Sequence, residues 1–225
     1  MDYIIGNWGD NTKFHPTEDK PLYVYADDFD NNGTFDIVLS KLYNGKLLPV
    51  RGKECSSEQT PFITTKLKTY KEFASSSLSE IYGQEQLNRA SQFKVSNFKS
   101  IILKNQGKGN FTIQELPNRA QLGPSLGIEV FDIDHDGQLD IFGVGKVYEA
   151  EVETIRYDAS KGYILLGNGK EGYTFMDDTS YFSEKEVKAI KRIRINNETH
   201  FILLNKNGEL QMLKLKSGMV KNGTL

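Results

Sequence analysis

The amino-acid sequence predicts an all-β fold interrupted by one helical insertion, on three observations. Most apolar runs are short, rich in β-branched and aromatic residues, and bounded by Gly, Asn or Asp. Glycine-containing reversals join several of them, as in "NQGKGN", "GNGKEG" and "NKNG". One arrangement of apolar strand, acidic loop and apolar strand occurs twice, around "DFDNNGTFD" (28–36) and "DIDHDGQLD" (132–140).

In chain order, "DYIIGNW" (2–8), "PLYVYA" (21–26) and "DIVLSKLY" (36–43) read as strands. From Ser57 to about Phe93 the alternation stops, and Phe62, Lys66, Tyr70 and Phe73 fall at helical spacing. "SLSE" (77–80) is a capping box with Ser77 as N-cap and Glu80 three positions on, and "QEQLNRA" (84–90) reads as a further short helix. Strands resume with "SIILKNQGKGNFTIQEL" (100–116), "LGIEVFDI" (126–133), "DIFGVG" (140–145) and "GYILLGNGKEGYTFM" (162–176). "VKAIKRIRI" (187–195) and "HFILLNKNGELQMLKLK" (200–216) complete the series.

The repeat organises the chain. Its acidic loops are 132 − 28 = 104 residues apart, of which the helical insertion takes about 40. The remainder matches one four-stranded β-propeller blade of about 40–50 residues plus loops. A truncated third copy begins the chain, with Asp2 of "MDYIIGNWG" in the place of Asp36 and Asp140. On this reading the sequence is the C-terminal piece of a longer protein, holding about three four-stranded blades of a partial propeller. Residues 1–20 are the edge of a preceding blade, 21–56 with 97–119 a first blade, and 57–96 the helical insertion. A second blade spans 120–182, a last one 183–217, and 218–225 is a tail.

Alternating carboxylates on a tight turn direct oxygen atoms at one centre, and the glycine at the sixth position permits the reversal. Such a hard oxygen cage suits Ca²⁺, which takes about 6–8 oxygens at about 2.3–2.6 Å. The expected ligands are Asp28, Asp30, Asn32, the carbonyl of Thr34 and Asp36 in one loop. In the other they are Asp132, Asp134, Asp136, the carbonyl of Gln138 and Asp140. An EF-hand would need a glutamate at position twelve, where Leu39 and Gly143 stand instead. The alternative is a solvated acidic turn without an ion, and the identical spacing of two loops favours the ion. The second loop carries one more carboxylate than the first, which predicts tighter binding there.

Lys+Arg 28 against Asp+Glu 30 gives no electrostatic case for nucleic acid or an anionic membrane. No apolar run is long enough to span a membrane, and "MDYIIGNWGD" has no signal-peptide pattern. Cys55 lacks an assignable histidine partner and reads as structural, and His15, His135 and His200 are dispersed. Trp8 reads as packing, with sugar stacking as the alternative. The basic run 188–195 reads as the solvated face of a half-buried strand. Zinc-protease and P-loop motifs are absent from the sequence.

The acidic loops with their flanking strands resemble FG-GAP (VCBS-type) repeats, the calcium-bearing blades of integrin-α-like β-propellers. "IIGNWGDNTKF", "PLYVYADDFDNNGTFDIVLS", "RGKECSSEQTPFITTKLKTYKEFA" and "RYDASKGYILLGNGKEGY" are similar to the C-terminal part of secreted multi-repeat proteins of that family from Bacteroidetes. The resemblance implies a seven-bladed propeller whose remaining blades lie elsewhere in a longer chain. It also implies an extracellular, periplasmic or outer-membrane setting. It names no ligand. Two classes of function follow. One is a non-enzymatic, calcium-rigidified module that binds a protein or glycan. The other is part of a propeller enzyme processing polysaccharide, with Arg156, Tyr157 and Asp158 as its candidate polar stretch.

Overall fold

The computed structural model describes residues 1–150, 154–169, 172–177 and 183–214. The expected tail 218–225 lies outside them, as do the last residues of the expected blades 120–182 and 183–217. The described residues are mostly β, in four antiparallel sheets with five short helices. They divide into two units, Phe14–Asn97 and the remainder.

In the unit Phe14–Asn97, β2 (Leu22–Asp27) and β3 (Asp36–Tyr43) flank the first acidic loop. With β4 (Lys46–Pro49) and β5 (Ser91–Val95) they form a sheet of order β4-β3-β2-β5. Five helices lie between β4 and β5: α1 (Lys53–Gln59), α2 (Phe62–Lys66), α3 (Tyr70–Ser75), α4 (Leu78–Tyr82) and α5 (Gln84–Arg89). The expected capping box at Ser77 and Glu80 is present, and Thr69 with Glu72 forms a second one. That second cap breaks the helical spacing of 62–73 into two helices. Ile63, Phe73, Leu78, Ile81 and Leu87 of the helices share one core with Tyr25 and Val38 of the sheet.

The other unit holds three sheets. β1 (Tyr3–Ile5) pairs with β6 (Ile101–Gly107), which pairs with β7 (Asn110–Glu115). β8 (Gly127–Phe131), β9 (Asp140–Val144), β10 (Tyr163–Gly167) and β11 (Tyr173–Phe175) form a four-stranded meander. β12 (Val187–Ile195), β13 (Glu198–Asn205) and β14 (Leu210–Lys214) form the third. The β8–β11 sheet is buried on both faces, which explains the continuous apolar run of β9. Ile141, Tyr163 and Leu165 pack with Ile102 and Ile4 of the first sheet and with Leu116, which follows β7. Phe142, Val144 and Ile164 point the opposite way, onto Val187, Phe201 and Leu203 of the third. The period-two alternation of a strand thus makes a stack of three layers.

This arrangement corrects the expected boundaries. Residues 97–119 do not complete the sheet of 21–56, because the β6–β7 hairpin pairs with β1 and buries Ile102 and Leu116 beside β9 and β10. The free edge of β2 is taken by β5, a strand inside the segment 57–96 expected to be helical. Four sheets therefore stand where three four-stranded blades and the edge of a preceding one were expected, two of them four-stranded and two three-stranded.

Phe142 sits between two layers with 2% of its surface exposed and its ring 5.0 Å from that of Phe201. Phe142→Ala should cost about 3–5 kcal/mol, as for other buried aromatic truncations. Urea unfolding should show this as a lower midpoint; a change below about 1 kcal/mol would place Phe142 outside the core.

Candidate metal centres

The two acidic loops have the same backbone. Asn31 and His135, at the fourth position, adopt φ of 60° and 61°, and Gly33 and Gly137, at the sixth, both adopt φ of 88°. A left-handed conformation strains most side chains but suits Asn and Gly. Their hydrogen bonds match too. The Asn32 N–H donates to Asp28 Oδ1 at 2.9 Å, and the Asp136 N–H to Asp132 Oδ1 at 3.1 Å. Gly33 and Gly137 donate to the other oxygen of the same aspartates, at 2.9 and 3.0 Å. Thr34 and Gln138 donate their N–H groups to the side-chain oxygens of Asn32 and Asp136, each at 2.8 Å.

The turn draws acidic oxygens together. One oxygen each from Asp28, Asp30 and Asp36 lies within 4.8 Å of the others, and the same holds for Asp132, Asp134 and Asp136. Twice a Ca²⁺–oxygen distance of about 2.4 Å gives the same span, so the donors and spacing fit a hard cation. Asn32 turns its amide N–H₂ onto Asp30 Oδ2 at 3.0 Å, so its oxygen faces Thr34. Asp140 is not one of the three clustered carboxylates of its loop. It has no exposed surface, and its two oxygens accept from the Ile133 N–H (2.6 Å) and the Gly167 N–H (2.8 Å). The fourth carboxylate of the second loop thus ties the loop to β10.

The electrostatics follow from this crowding. The N–H groups of Gly33 and Asn32 hold Asp28 below the usual carboxylate range. Burial raises Asp36, with Asp30 and Asp28 adding to the rise, and raises Asp134, with Asp140 and Asp136 adding. Asp140 is raised by burial against the opposing hydrogen bonds from Gly167 and Ile133.

Several positions carry roles that sequence reading missed. Phe29 and Ile133, the second residue of each loop, are buried, and Phe29 lies 5.1 Å from the ring of Tyr82. Each donates its N–H to the closing aspartate, to Asp36 at 3.0 Å in the case of Phe29. The sequence signal was an apolar residue at the same place in both acidic turns. Gln59, at the end of α1, hydrogen-bonds Asp36 and accepts from Arg51 Nη1 at 2.6 Å. No local pattern marks it. Asp2 accepts from the Asn105 N–H at 2.9 Å, the same register relation that Asp140 has to Gly167.

The remaining candidates lie apart from these loops. The rings of Trp8 and Tyr157 pack at a tilt of 52° with centres 4.8 Å apart, and the Arg156 guanidinium lies 5.4 Å from the Tyr148 ring centre. The cations of β12 face acidic partners, Lys188 on Glu186 and Lys191 on Glu129, and Arg192 covers Phe131. His15 and His135 are exposed and Cys55 is half-buried. Among the described residues, no helix is long and apolar enough to cross a membrane. Comparison with protein-family models, curated proteins and solved structures gave no match.

Asp140 gives a pH prediction. Its folded-state pKa is raised, so it adds stability below about pH 4, where an unfolded aspartate protonates, and loses that contribution as pH climbs through the raised value. In chelator, the stability gap between wild type and Asp140→Asn should therefore narrow from pH 4 to pH 7. Thermal melts across that range read it, and a widening gap would contradict the assignment.

Proposed function

We propose that this chain is a calcium-stapled portion of a β-propeller of FG-GAP type, serving as an interaction module rather than an enzyme. The observation that carries the reading is the match of the two acidic loops in dihedrals and hydrogen bonds, together with a cluster of three carboxylates in each. Two unrelated solvated turns have no reason to agree so closely. The stack of three antiparallel sheets supports the propeller reading, since blades pack face to face in the same way.

In this reading Asp28, Asp30 and Asp36 hold one ion and Asp132, Asp134 and Asp136 the other, with Asn32, Thr34 and Gln138 supplying further oxygens. Asp140 holds its loop in place. The ion supplies positive charge that offsets carboxylate repulsion and fixes the strand-to-strand connection. It does no chemistry on a substrate. The partner is a protein or a glycan, bound where calcium is plentiful, in an extracellular, periplasmic or outer-membrane setting. Further sheets of the same kind complete the ring.

Calcium calorimetry tests this directly. Wild type should bind two ions per chain, Asp30→Ala one, and Asp134→Ala one. At about one hundred times Kd, each ion should add about 2.7 kcal/mol to folding stability. A melting temperature unchanged by chelation would overturn the reading.

A further inference from the structure

The first acidic loop is tied to the helices by side chains, where the second is tied to its sheet by main chain. Asp36 belongs to the first carboxylate cluster and also hydrogen-bonds Gln59, at the end of α1. The Gln59 oxygen is taken by Arg51 Nη1 at 2.6 Å, which leaves its N–H₂ group to donate to Asp36. Arg51 Nη1 also reaches the Ile37 carbonyl, at 3.4 Å. Asp140, the corresponding aspartate, lies outside its cluster and is held by the N–H groups of Ile133 and Gly167.

A second tie runs through the apolar anchor of the loop. Phe29 donates its N–H to Asp36 and packs its ring on Tyr82 of α4. Tyr82 in turn hydrogen-bonds the side chains of Ser56 and Thr60, at the end of α1. All of these residues lie within the unit Phe14–Asn97. The five helices have only five to seven residues each, and helices that short have little stability of their own. They are held by a core of Ile63, Leu78 and Ile81 that includes Phe29. Segments of this kind open locally more readily than the sheets beside them.

We infer that calcium at the first loop and folding of the helical segment 53–89 are coupled through Asp36, with Gln59 as the positioning residue. The inference rests on the calcium reading above. Opening of α1 removes the Gln59 contact, releases the Asp36 carboxylate from the cluster and weakens the site. By reciprocity, calcium bound there holds the helical segment closed. The second site carries no such link, because main-chain groups of its own loop and sheet hold Asp140. The two sites therefore differ in kind. One fixes a connection between strands, and the other also sets the state of a helical segment.

Calcium calorimetry and amide hydrogen exchange of the full chain test it. With only the first site intact, in Asp134→Ala, adding Gln59→Leu should weaken calcium binding about tenfold. With only the second intact, in Asp30→Ala, the same change should leave binding unaltered. Calcium should slow exchange across 53–89 about tenfold in wild type. It should not slow it in Asp30→Ala, where the helices are untouched and only the second site fills. Equal affinity with and without Gln59→Leu in Asp134→Ala would overturn the coupling and leave the calcium reading standing. So would exchange across 53–89 that ignores calcium in a wild type binding two ions. A wild type that binds no calcium would overturn both. If Gln59→Leu does not fold, the exchange comparison decides by itself.

Discussion

Asp140 is wholly buried, and its two oxygens accept hydrogen bonds from backbone groups that lie far apart in the sequence, Ile133 and Gly167. Charge-assisted bonds of this kind are stronger than neutral ones, and a buried carboxylate without them would be costly. The pair fixes where the acidic loop ends and the register in which β10 meets β9. Asp36 repeats the first half of the arrangement through Phe29, and Asp2 repeats the second half through Asn105. The sheets, the loops and their apolar anchors are arranged around this contact.

Its consequence is crowding. Anchoring the loop at Phe29 or Ile133 and closing it with an aspartate forces the alternating carboxylates inward, so that three oxygens share a space of 4.8 Å. Like charges at that distance repel by a few kcal/mol at an effective dielectric near 20. In the proposed reading a divalent cation would remove the penalty and turn the loop into a rigid connection. The helical segment supports the first loop in a way the second does not need. There Gln59 on α1 and the Tyr82 ring against Phe29 stand where strand β10 and the sheet stack serve Asp140 and Ile133.

Local chemistry was legible in the sequence and long-range pairing was not. The β6–β7 and β13–β14 hairpins, the Ser77 cap and the acidic turns depend on residues within a few positions of one another, and each was found in place, while the turn of "GNGKEG" lies partly outside the described residues. The partner of the β6–β7 hairpin was misread, because β6 pairs with Tyr3–Ile5 near the N-terminus, while both edges of β3 are taken by β2 and β4. β5 was read as helical because Phe93 follows a helical segment, and only the free edge of β2 makes it a strand. Gln59 could not be found, since its role exists only after α1 is set beside the loop. The acidic residues that cluster in each loop were legible, but the separate role of Asp140 depends on its burial between layers.

The most direct measurement is a crystal structure grown with calcium, with anomalous data collected to locate the ions. The account predicts two anomalous peaks, one among Asp28, Asp30 and Asp36 and one among Asp132, Asp134 and Asp136, with Asp140 still bonded to Ile133 and Gly167. Ordered loops that show no peak, or peaks outside them, would contradict it.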